Sequence, residues 1–180
     1  MMKPSELVPR FSALLQKLIA EKFDDTEIMV TGIEDHVSQQ FAALPFDHLI
    51  FTGSTRVGRL VAEAAGRNLT PVTLELGGKS PAIIGAKADF DKAVERIIVG
   101  KSLNAGQTCI APDYVLLPAG RERDFIDTAR RVFAACYPDF SVTPDYTSVI
   151  NERHFSRLAG YVDDARRQGA EIVELVPGGV

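Results

Sequence analysis

Along this sequence, segments with helical spacing of hydrophobic residues alternate with segments whose spacing is typical of strands. In some segments they recur every three or four positions, as in helices with one buried face; these segments are about 7–19, 34–43, 57–65, 90–98, 121–136 and 152–168. Short apolar or alternating runs typical of strands lie between them, at 27–30, 48–51, 72–76, 81–84, 114–117 and 172–175. Alternating strands and helices indicate parallel strands joined by right-handed crossovers. The pattern therefore predicts an α/β fold built from three-layer units with parallel sheets.

A glycine pair divides this series into two parts. Gly77 and Gly78 directly follow the alternating strand 72–76, and a second series of strands and helices begins after them. Glycine allows backbone conformations that other residues disfavour. We therefore predict a hinge here, with one α/β piece over residues 1–76 and another over 77–180.

Composition and charge narrow the class of protein. The chain is 46% hydrophobic and 24% charged, which is near the average for soluble globular proteins. Its 20 basic and 24 acidic residues are interspersed, so no nucleic-acid or anionic-membrane surface is expected. There is no apolar run long enough for a membrane span and no secretory apolar core near the N-terminus, so we predict a cytoplasmic protein. The two cysteines have no paired spacing, which predicts neither a disulfide framework nor a metal site.

A candidate anion-binding turn lies at residues 53–58. The strand 48–51 runs into Thr52-Gly53-Ser54, and a helical pattern begins directly afterwards. The backbone N–H groups at a helix N-terminus can hold a pyrophosphate. The pattern G-S-T-x-x-G matches only half of the dinucleotide fingerprint G-x-G-x-x-G, so an ordinary turn between a strand and a helix stays open.

Cys109 is the candidate nucleophile. It lies in the small, polar, glycine-bearing segment 104–112, which belongs to no amphipathic stripe. Loops held by rigid elements commonly carry reactive groups, and a thiolate is a strong nucleophile. Cys136 instead continues an apolar helical stripe, and we predict that it is buried and inert.

Glu75 is the candidate general base. In the alternating strand it faces away from Leu74 and Leu76, directly before the glycine pair. A carboxylate at such a strand end can activate a water molecule. A solvated strand residue without a catalytic role is the alternative, and the glycines either admit a ligand to the backbone or form a simple turn.

Four segments in order resemble motifs of the aldehyde dehydrogenase superfamily. They are KPSE (residues 3–6), FTGSTRVG (51–58), LELGGKSP (74–81) and GQTCIAPDYVL (106–116). The spacing between Glu75 and Cys109 is also similar to that of the family. The resemblance becomes generic after about residue 120, and it is strongest to the branch that acts on fatty and aromatic aldehydes, including coniferyl aldehyde.

The resemblance implies a covalent oxidation of an aldehyde to a carboxylic acid. Cys109 would attack the aldehyde carbon to form a thiohemiacetal, and hydride transfer would leave a thioester. A water molecule activated by Glu75 would then hydrolyse this thioester. The backbone N–H of Cys109 would donate a hydrogen bond to the developing oxyanion.

The resemblance also implies a nicotinamide cofactor. It assigns cofactor contacts to Lys3 and Glu6 at the adenosine ribose, to Gly53, Ser54 and Gly58 at the pyrophosphate, and to Leu76 at the nicotinamide carboxamide. A carboxylate at the ribose favours NAD because it repels the 2′-phosphate of NADP. The branch often accepts both cofactors, so NADP is the alternative.

By the same likeness, residues 1–76 would be part of a Rossmann-like NAD(P)-binding domain and 77–180 part of the α/β catalytic domain. Family members are larger proteins of several domains. The chain is therefore expected to lack an upstream oxyanion asparagine, a downstream E-x-F-G-P segment and the elements that build homodimers or homotetramers. We expect exposed apolar surface, a tendency to associate and little or no turnover by the chain alone. A non-catalytic α/β binding or assembly module of the same lineage stays open, as does a cofactor-independent hydrolase of activated esters.

Overall fold

The computed structural model describes residues 1–176, apart from the side chain of Asp35. Over this range the elements, in chain order, are α1 (Pro9–Lys22), α2 (Asp35–Ala42), β1 (Leu49–Thr52), α3 (Thr55–Gly66), β2 (Val72–Glu75), β3 (Ser80–Ile83), α4 (Phe90–Ser102), a short 3₁₀ helix (Leu103–Gly106), β4 (Pro112–Leu116), α5 (Glu122–Cys136) and α6 (Glu152–Arg167). Both strand pairs are parallel, which confirms the predicted α/β class. The chain forms two compact units, Met1–Gly77 and Gly78–Val180, called unit 1 and unit 2 below.

Unit 1 is built around the parallel pair of β1 and β2. Leu49 lies opposite Val72 and Thr52 opposite Glu75, so the two strands end side by side. Helix α3 connects them and buries Val61 together with Leu49. This apolar contact keeps the first turn of α3 close to the strand ends.

Unit 2 has a larger core between helices α4 and α5. Strands β3 and β4 pair in parallel, with an irregularity between Ser80 and Pro81. The core contains Ile84, Val94, Ile98, Ala129 and Phe133, of which Val94 and Ala129 are fully buried. Four of these residues belong to the apolar stripes of α4 and α5, and Ile84 directly follows β3. The apolar faces of the two helices therefore pack together with the end of this strand in one core.

Three aromatic side chains that follow α5 extend this core. Phe133 contacts Tyr137, Phe140 and Tyr146, with ring centroids 5.1, 5.3 and 5.8 Å away. Tyr146 also meets Phe140 edge-on at 4.9 Å. Tilted and edge-on contacts are favourable for aromatic pairs. This aromatic cluster therefore fixes residues 137–146, which form neither a helix nor a strand.

Burial in the aromatic cluster gives Tyr146 a measurable pH signature. Loss of water around the phenolate raises the pKa of Tyr146 above the ordinary 10.0, and Tyr137 adds to the effect. The protonated phenol is favoured in the folded state, so its stabilising contribution is present below pH 10.0 and disappears as the pH rises. In urea unfolding at pH about 8 and about 11, we expect the parent to lose more unfolding free energy than Tyr146→Phe does. The exposed Tyr161 is the control: Tyr161→Phe should behave like the parent, and equal losses in all three proteins would contradict the assignment.

Two predicted strands are wrong. Residues 27–30 form only a single bridge, between Val30 and Met2; Pro4, two residues after Met2, has no N–H with which to extend such a ladder. Residues 172–175 form no strand in the described part of the chain. There the guanidinium of Arg130 donates to the Glu174 carbonyl at 3.0 Å, and no strand within residues 1–176 pairs with this segment.

Apolar surface is exposed in the described part of both units, as expected. The stripe predicted as the buried face of α1 is open, with Phe11 60% and Leu14 54% accessible. In unit 2, Ile110 is 82% accessible. Self-association of the chain stays a prediction. Among the described residues, no helix is long and apolar enough to cross a membrane.

Candidate active site

The turn at residues 53–58 joins the end of β1 to the start of α3. The Ser54 hydroxyl accepts a hydrogen bond from the Val57 N–H at 3.3 Å, so Ser54 caps the helix. The N–H groups of Thr55 and Arg56 have no acceptor among the described residues. Unpaired amides in the first turn of a helix attract anions, so this turn has the donors that a pyrophosphate requires.

The same turn lies against the end of β2. The Gly53 N–H donates to the Glu75 carbonyl oxygen at 3.0 Å. Gly58 is buried, and a Cβ added there would lie 2.9 Å from the Leu76 side chain. Glycine at position 58 therefore allows the helix to approach the strand end. The structure thus brings together five predicted site residues: Gly53, Ser54, Gly58, Glu75 and Leu76.

The Glu75 side chain is exposed at the end of β2. Leu74 and Leu76 on either side of it are half-buried, which confirms the predicted alternation. Its carboxylate has no hydrogen-bond or ion-pair partner among the described residues. An unpaired carboxylate at a strand end is free to accept a proton from water.

Lys3 and Glu6 form an ion pair near the N-terminus of unit 1. The Lys3 Nζ lies 2.9 Å from Glu6 Oε2. The hydrogen bond from Lys3 is the main cause that lowers the pKa of Glu6, and a backbone hydrogen bond adds to it. Glu6 is therefore an anion at neutral pH, as its predicted role at a ribose requires.

Cys109 lies in unit 2, in a loop of unusual backbone conformation that leads from α4 to β4. Asn104, Ala105 and Gly106 have φ angles of 52°, 53° and 73°, in the left-handed region that non-glycine residues disfavour. Cys109 is exposed in the turn that follows, which the Ala111 N–H closes by donating to the Thr108 carbonyl at 3.2 Å. Such backbone strain is concentrated at functional sites. We call residues 103–111 the nucleophile loop because they contain Cys109, the candidate nucleophile.

The nucleophile loop offers a row of free donors. The backbone N–H groups of Thr108, Cys109 and Ile110 have no acceptor in the part of the chain that the structure describes. Free amides beside a nucleophile can stabilise an oxyanion that forms there. The loop therefore combines an exposed thiol with donors suited to acyl chemistry.

The start of β3 packs directly against this loop. A Cβ at Gly78 would lie 2.9 Å from the Cys109 carbonyl oxygen, so only glycine fits without displacing the backbone. The next residue, Lys79, forms an ion pair with Asp113 at the start of β4. The second glycine of the pair thus has a packing role that its neighbour Gly77, with open space around it, does not share.

Comparison with known proteins identifies the family. The profile described as "Aldehyde dehydrogenase family" matches residues 1–179. The chain belongs to the aldehyde dehydrogenase family. The probable coniferyl aldehyde dehydrogenase of Pseudomonas aeruginosa is 51% identical over 179 residues, which are 99% of this chain and 38% of that protein. This family member therefore spans under two-fifths of the length of that relative.

Solved aldehyde dehydrogenases share its fold. A substrate-bound structure of Staphylococcus aureus AldH is 41% identical, with a TM-score of 0.85 over 92% of this chain and 36% of that one. A cysteine-to-alanine mutant of aldehyde dehydrogenase C from Pseudomonas syringae, complexed with NAD+ and octanal, is 30% identical, with a TM-score of 0.81 over 99% of this chain and 38% of that one. The α/β arrangement of both units is thus that of the family.

The second cysteine of this aldehyde dehydrogenase chain is not where it was predicted. Cys136 is exposed, so the prediction of a buried packing residue is wrong. It is the last residue of α5 and lines an open groove of about 490 Å³ that also contains the charged side chains of Asp91 and Arg131. The apolar stripe of α5 meets the core through Ala129 and Phe133, whereas Cys136 lies at the edge of that stripe, where Val132 and Ala135 also line the groove.

Sequence reasoning missed one residue of the nucleophile loop. Gln107 was part of a recognised motif without a role of its own, yet its side chain contacts three backbone groups. Its Nε2 donates to the carbonyls of Asn104 at 3.0 Å and Ser148 at 3.2 Å, and its Oε1 accepts from the Ile150 N–H at 2.9 Å. Two of these partners lie 41 and 43 positions away, so no local pattern could have revealed them.

Proposed function

We propose that this chain carries the nucleophile and general base of an NAD(P)-dependent aldehyde dehydrogenase that oxidises a fatty or aromatic aldehyde, such as coniferyl aldehyde, to the acid. The main support is the nucleophile loop, in which an exposed Cys109 thiol follows a left-handed backbone segment and lies beside three free N–H groups. The family profile and the 51% identity to a probable coniferyl aldehyde dehydrogenase support the reaction class.

The two units divide this work in the proposal. Unit 1 would be part of the NAD(P)-binding domain, because it holds the first turn of α3 with its free Thr55 and Arg56 amides. Unit 2 would be part of the catalytic domain, because it holds Cys109. Glu75 belongs to unit 1, so its action on an intermediate at Cys109 is also part of the proposal.

The residues present fit a dinucleotide. Gly53, Ser54 and Gly58 shape an amide-lined turn suited to a pyrophosphate, and Leu76 lies beside it. Lys3 and the ionised Glu6 would hold the ribose hydroxyls, and the negative charge of Glu6 favours NAD over NADP. When bound, the nicotinamide supplies the hydride acceptor. The Pseudomonas syringae relative, complexed with NAD+ and octanal, supports this pairing of cofactor and substrate.

Each protein group has a distinct task in the mechanism. The Cys109 thiolate forms a bond to the aldehyde carbon as the carbonyl π bond opens, and the resulting oxyanion accepts a hydrogen bond from the Cys109 N–H. After loss of hydride, the acyl group is a thioester on Cys109. The Glu75 carboxylate takes a proton from water, the water oxygen bonds to the acyl carbon, and the Cys109 thiolate leaves.

We also propose that the whole enzyme is a homodimer or homotetramer. The cytoplasmic location stays a prediction from the sequence.

Alkylation with iodoacetamide tests the nucleophile. Cys109 and Cys136 are both exposed, so exposure alone predicts similar rates. If the loop activates its thiol for nucleophilic attack, Cys109 in a Cys136→Ser variant reacts at least about tenfold faster at neutral pH than Cys136 in a Cys109→Ser variant. Mass spectrometry measures the alkylation rate of each cysteine. Equal, slow labelling of Cys109 and Cys136 would favour a non-catalytic module.

The same two variants separate a dehydrogenase from an esterase. A chromogenic ester is expected to leave one acyl group on Cys109 without sustained turnover. Repeated turnover without cofactor would instead indicate a hydrolase. Sustained NAD-dependent oxidation of an aldehyde by the 180-residue chain would contradict our expectation that it has little or no turnover alone.

A further inference from the structure

The left-handed backbone before Cys109 needs an external restraint. Asn104 and Ala105 both have a positive φ; the Cβ of Ala105 disfavours this region, which asparagine adopts more readily. Gly106 continues this conformation at no such cost. Without contacts that favour it, the segment would relax toward right-handed or extended conformations and carry Cys109 and its free amides with it.

The Gln107 carboxamide supplies contacts of this kind. Its Nε2 donates to the carbonyl of Asn104, the first left-handed residue, and to that of Ser148. Its Oε1 accepts from the Ile150 N–H. Both ends of the carboxamide are therefore engaged, and the Gln107 side chain joins the loop to a segment more than 40 positions away in the sequence.

The distant segment is itself held on both sides. Tyr146 packs in the aromatic cluster against Phe133 and Phe140. Asn151 caps α6 by accepting a hydrogen bond from the His154 N–H at 2.9 Å. Ser148 and Ile150 lie between these two anchors, so Gln107 bonds to backbone of restricted motion.

We propose that Gln107 is a positioning residue for the proposed reaction: by joining the nucleophile loop to the anchored segment 148–150, its carboxamide holds Cys109 and the neighbouring free amides in their reactive arrangement. Gln107 does not touch the reacting atoms in this role. The inference rests on the proposed function, because it assumes that Cys109 is the nucleophile.

Two substitutions separate the functions of the carboxamide. Gln107→Met keeps a similar length and removes all three hydrogen bonds. Gln107→Glu keeps an oxygen that can accept from Ile150 but replaces both N–H donors, which turns two favourable contacts with carbonyls into repulsion when the acid is ionised. The full 180-residue chain with Cys136→Ser reports on Cys109 alone, and the chain with Cys109→Ser reports on Cys136 alone.

The measurement is the rate of iodoacetamide alkylation across a range of pH. We expect Gln107→Met to slow Cys109 about tenfold, because a displaced loop loses its aligned donors. For Gln107→Glu we expect a rate below the parent at neutral pH and a ratio to the parent that recovers on acidification, because the protonated acid again donates a hydrogen bond. Cys136 should react at the parent rate in every Gln107 variant.

A rescue distinguishes positioning from general destabilisation. Ala105→Gly relieves the strain of a positive φ without removing a polar contact, so it should restore part of the Cys109 rate in Gln107→Met. An unchanged Cys109 rate in both Gln107 variants, or an equal loss at Cys136, would overturn the proposal. The proposed function fails separately, when Cys109 is no faster than Cys136 in the parent; the positioning role fails when Cys109 is fast and stays fast without Gln107.

Discussion

Cys109→Ser is expected to abolish both steady-state aldehyde oxidation and the initial burst of NADH, whereas Glu75→Gln is expected to abolish only the steady state. The suitable enzyme is a chimera in which the 179 residues that align with the Pseudomonas aeruginosa relative at 51% identity replace the corresponding segment of that protein. The steady-state rate should fall by at least about 10³-fold for Cys109→Ser and by about 10²–10⁴-fold for Glu75→Gln.

The difference between the two variants follows from the order of the proposed steps. Hydride leaves only after the Cys109 sulfur has bonded to the aldehyde carbon, so without the thiol no NADH forms. Glu75 acts afterwards, on the water that hydrolyses the thioester. Its amide variant should therefore release one equivalent of NADH and then stop with an acyl group on Cys109, which mass spectrometry detects.

Cys136→Ser is the matched control for this experiment. Cys136 is exposed in a groove between α4 and α5 and has no part in the proposed reaction, so both the burst and the steady state should match those of the parent chimera. A full burst in Cys109→Ser would contradict the assignment of the nucleophile. Normal steady-state turnover in Glu75→Gln would contradict that of the base.

Phe133→Ala is expected to lower the unfolding free energy of unit 2 by about 3–5 kcal/mol. Phe133 is only 8% accessible and belongs both to the α4–α5 core and to the aromatic cluster. Its removal would leave a cavity and deprive Tyr137, Phe140 and Tyr146 of a shared partner. A loss of this size is a large part of the stability of a small domain.

Tyrosine fluorescence during urea unfolding measures this loss in unit 2 specifically. The chain has four tyrosines and no tryptophan, and all four tyrosines lie after residue 78. Phe155→Ala is the control, because Phe155 on α6 is 39% accessible and its truncation should cost about 1 kcal/mol or less. Similar losses for the two variants would show that Phe133 does not anchor the core.

The helices and the paired strands could be predicted because their signals are local. Apolar residues that recur every three or four positions indicate a helix, and apolar residues at every second position indicate a strand. Both patterns depend only on residues that are close in the sequence. Ser54 and Gly58 could also be placed at a helix start, since capping needs one side chain and the adjacent turn. A strand also requires a neighbouring strand, which the local sequence does not reveal. Residues 172–175 have the composition of a strand, but the described chain provides no neighbouring strand to pair with them.

For the candidate site, too, the sequence predicted some features and the structure supplied others. Its motif residues were identified by likeness to a family, and the structure shows how part of unit 1 assembles: the Gly53 N–H bonds to the Glu75 carbonyl, and Gly58 packs on Leu76. The exposure of Cys136 was mispredicted because a helical stripe indicates which face packs and not which residues at the edge of that face line an open groove.

By itself, the sequence determined the α/β class, the helices and the four paired strands, and it offered Cys109 and Glu75 as candidate reactive residues, because periodicity and motif chemistry are properties of short segments. Only the tertiary structure decided that the apolar face of α1 and both cysteines are exposed. It alone revealed that the nucleophile loop is joined through Gln107 to Ser148 and Ile150. Such contacts depend on the path of the chain between distant residues, and that path is set by the packing of the whole unit.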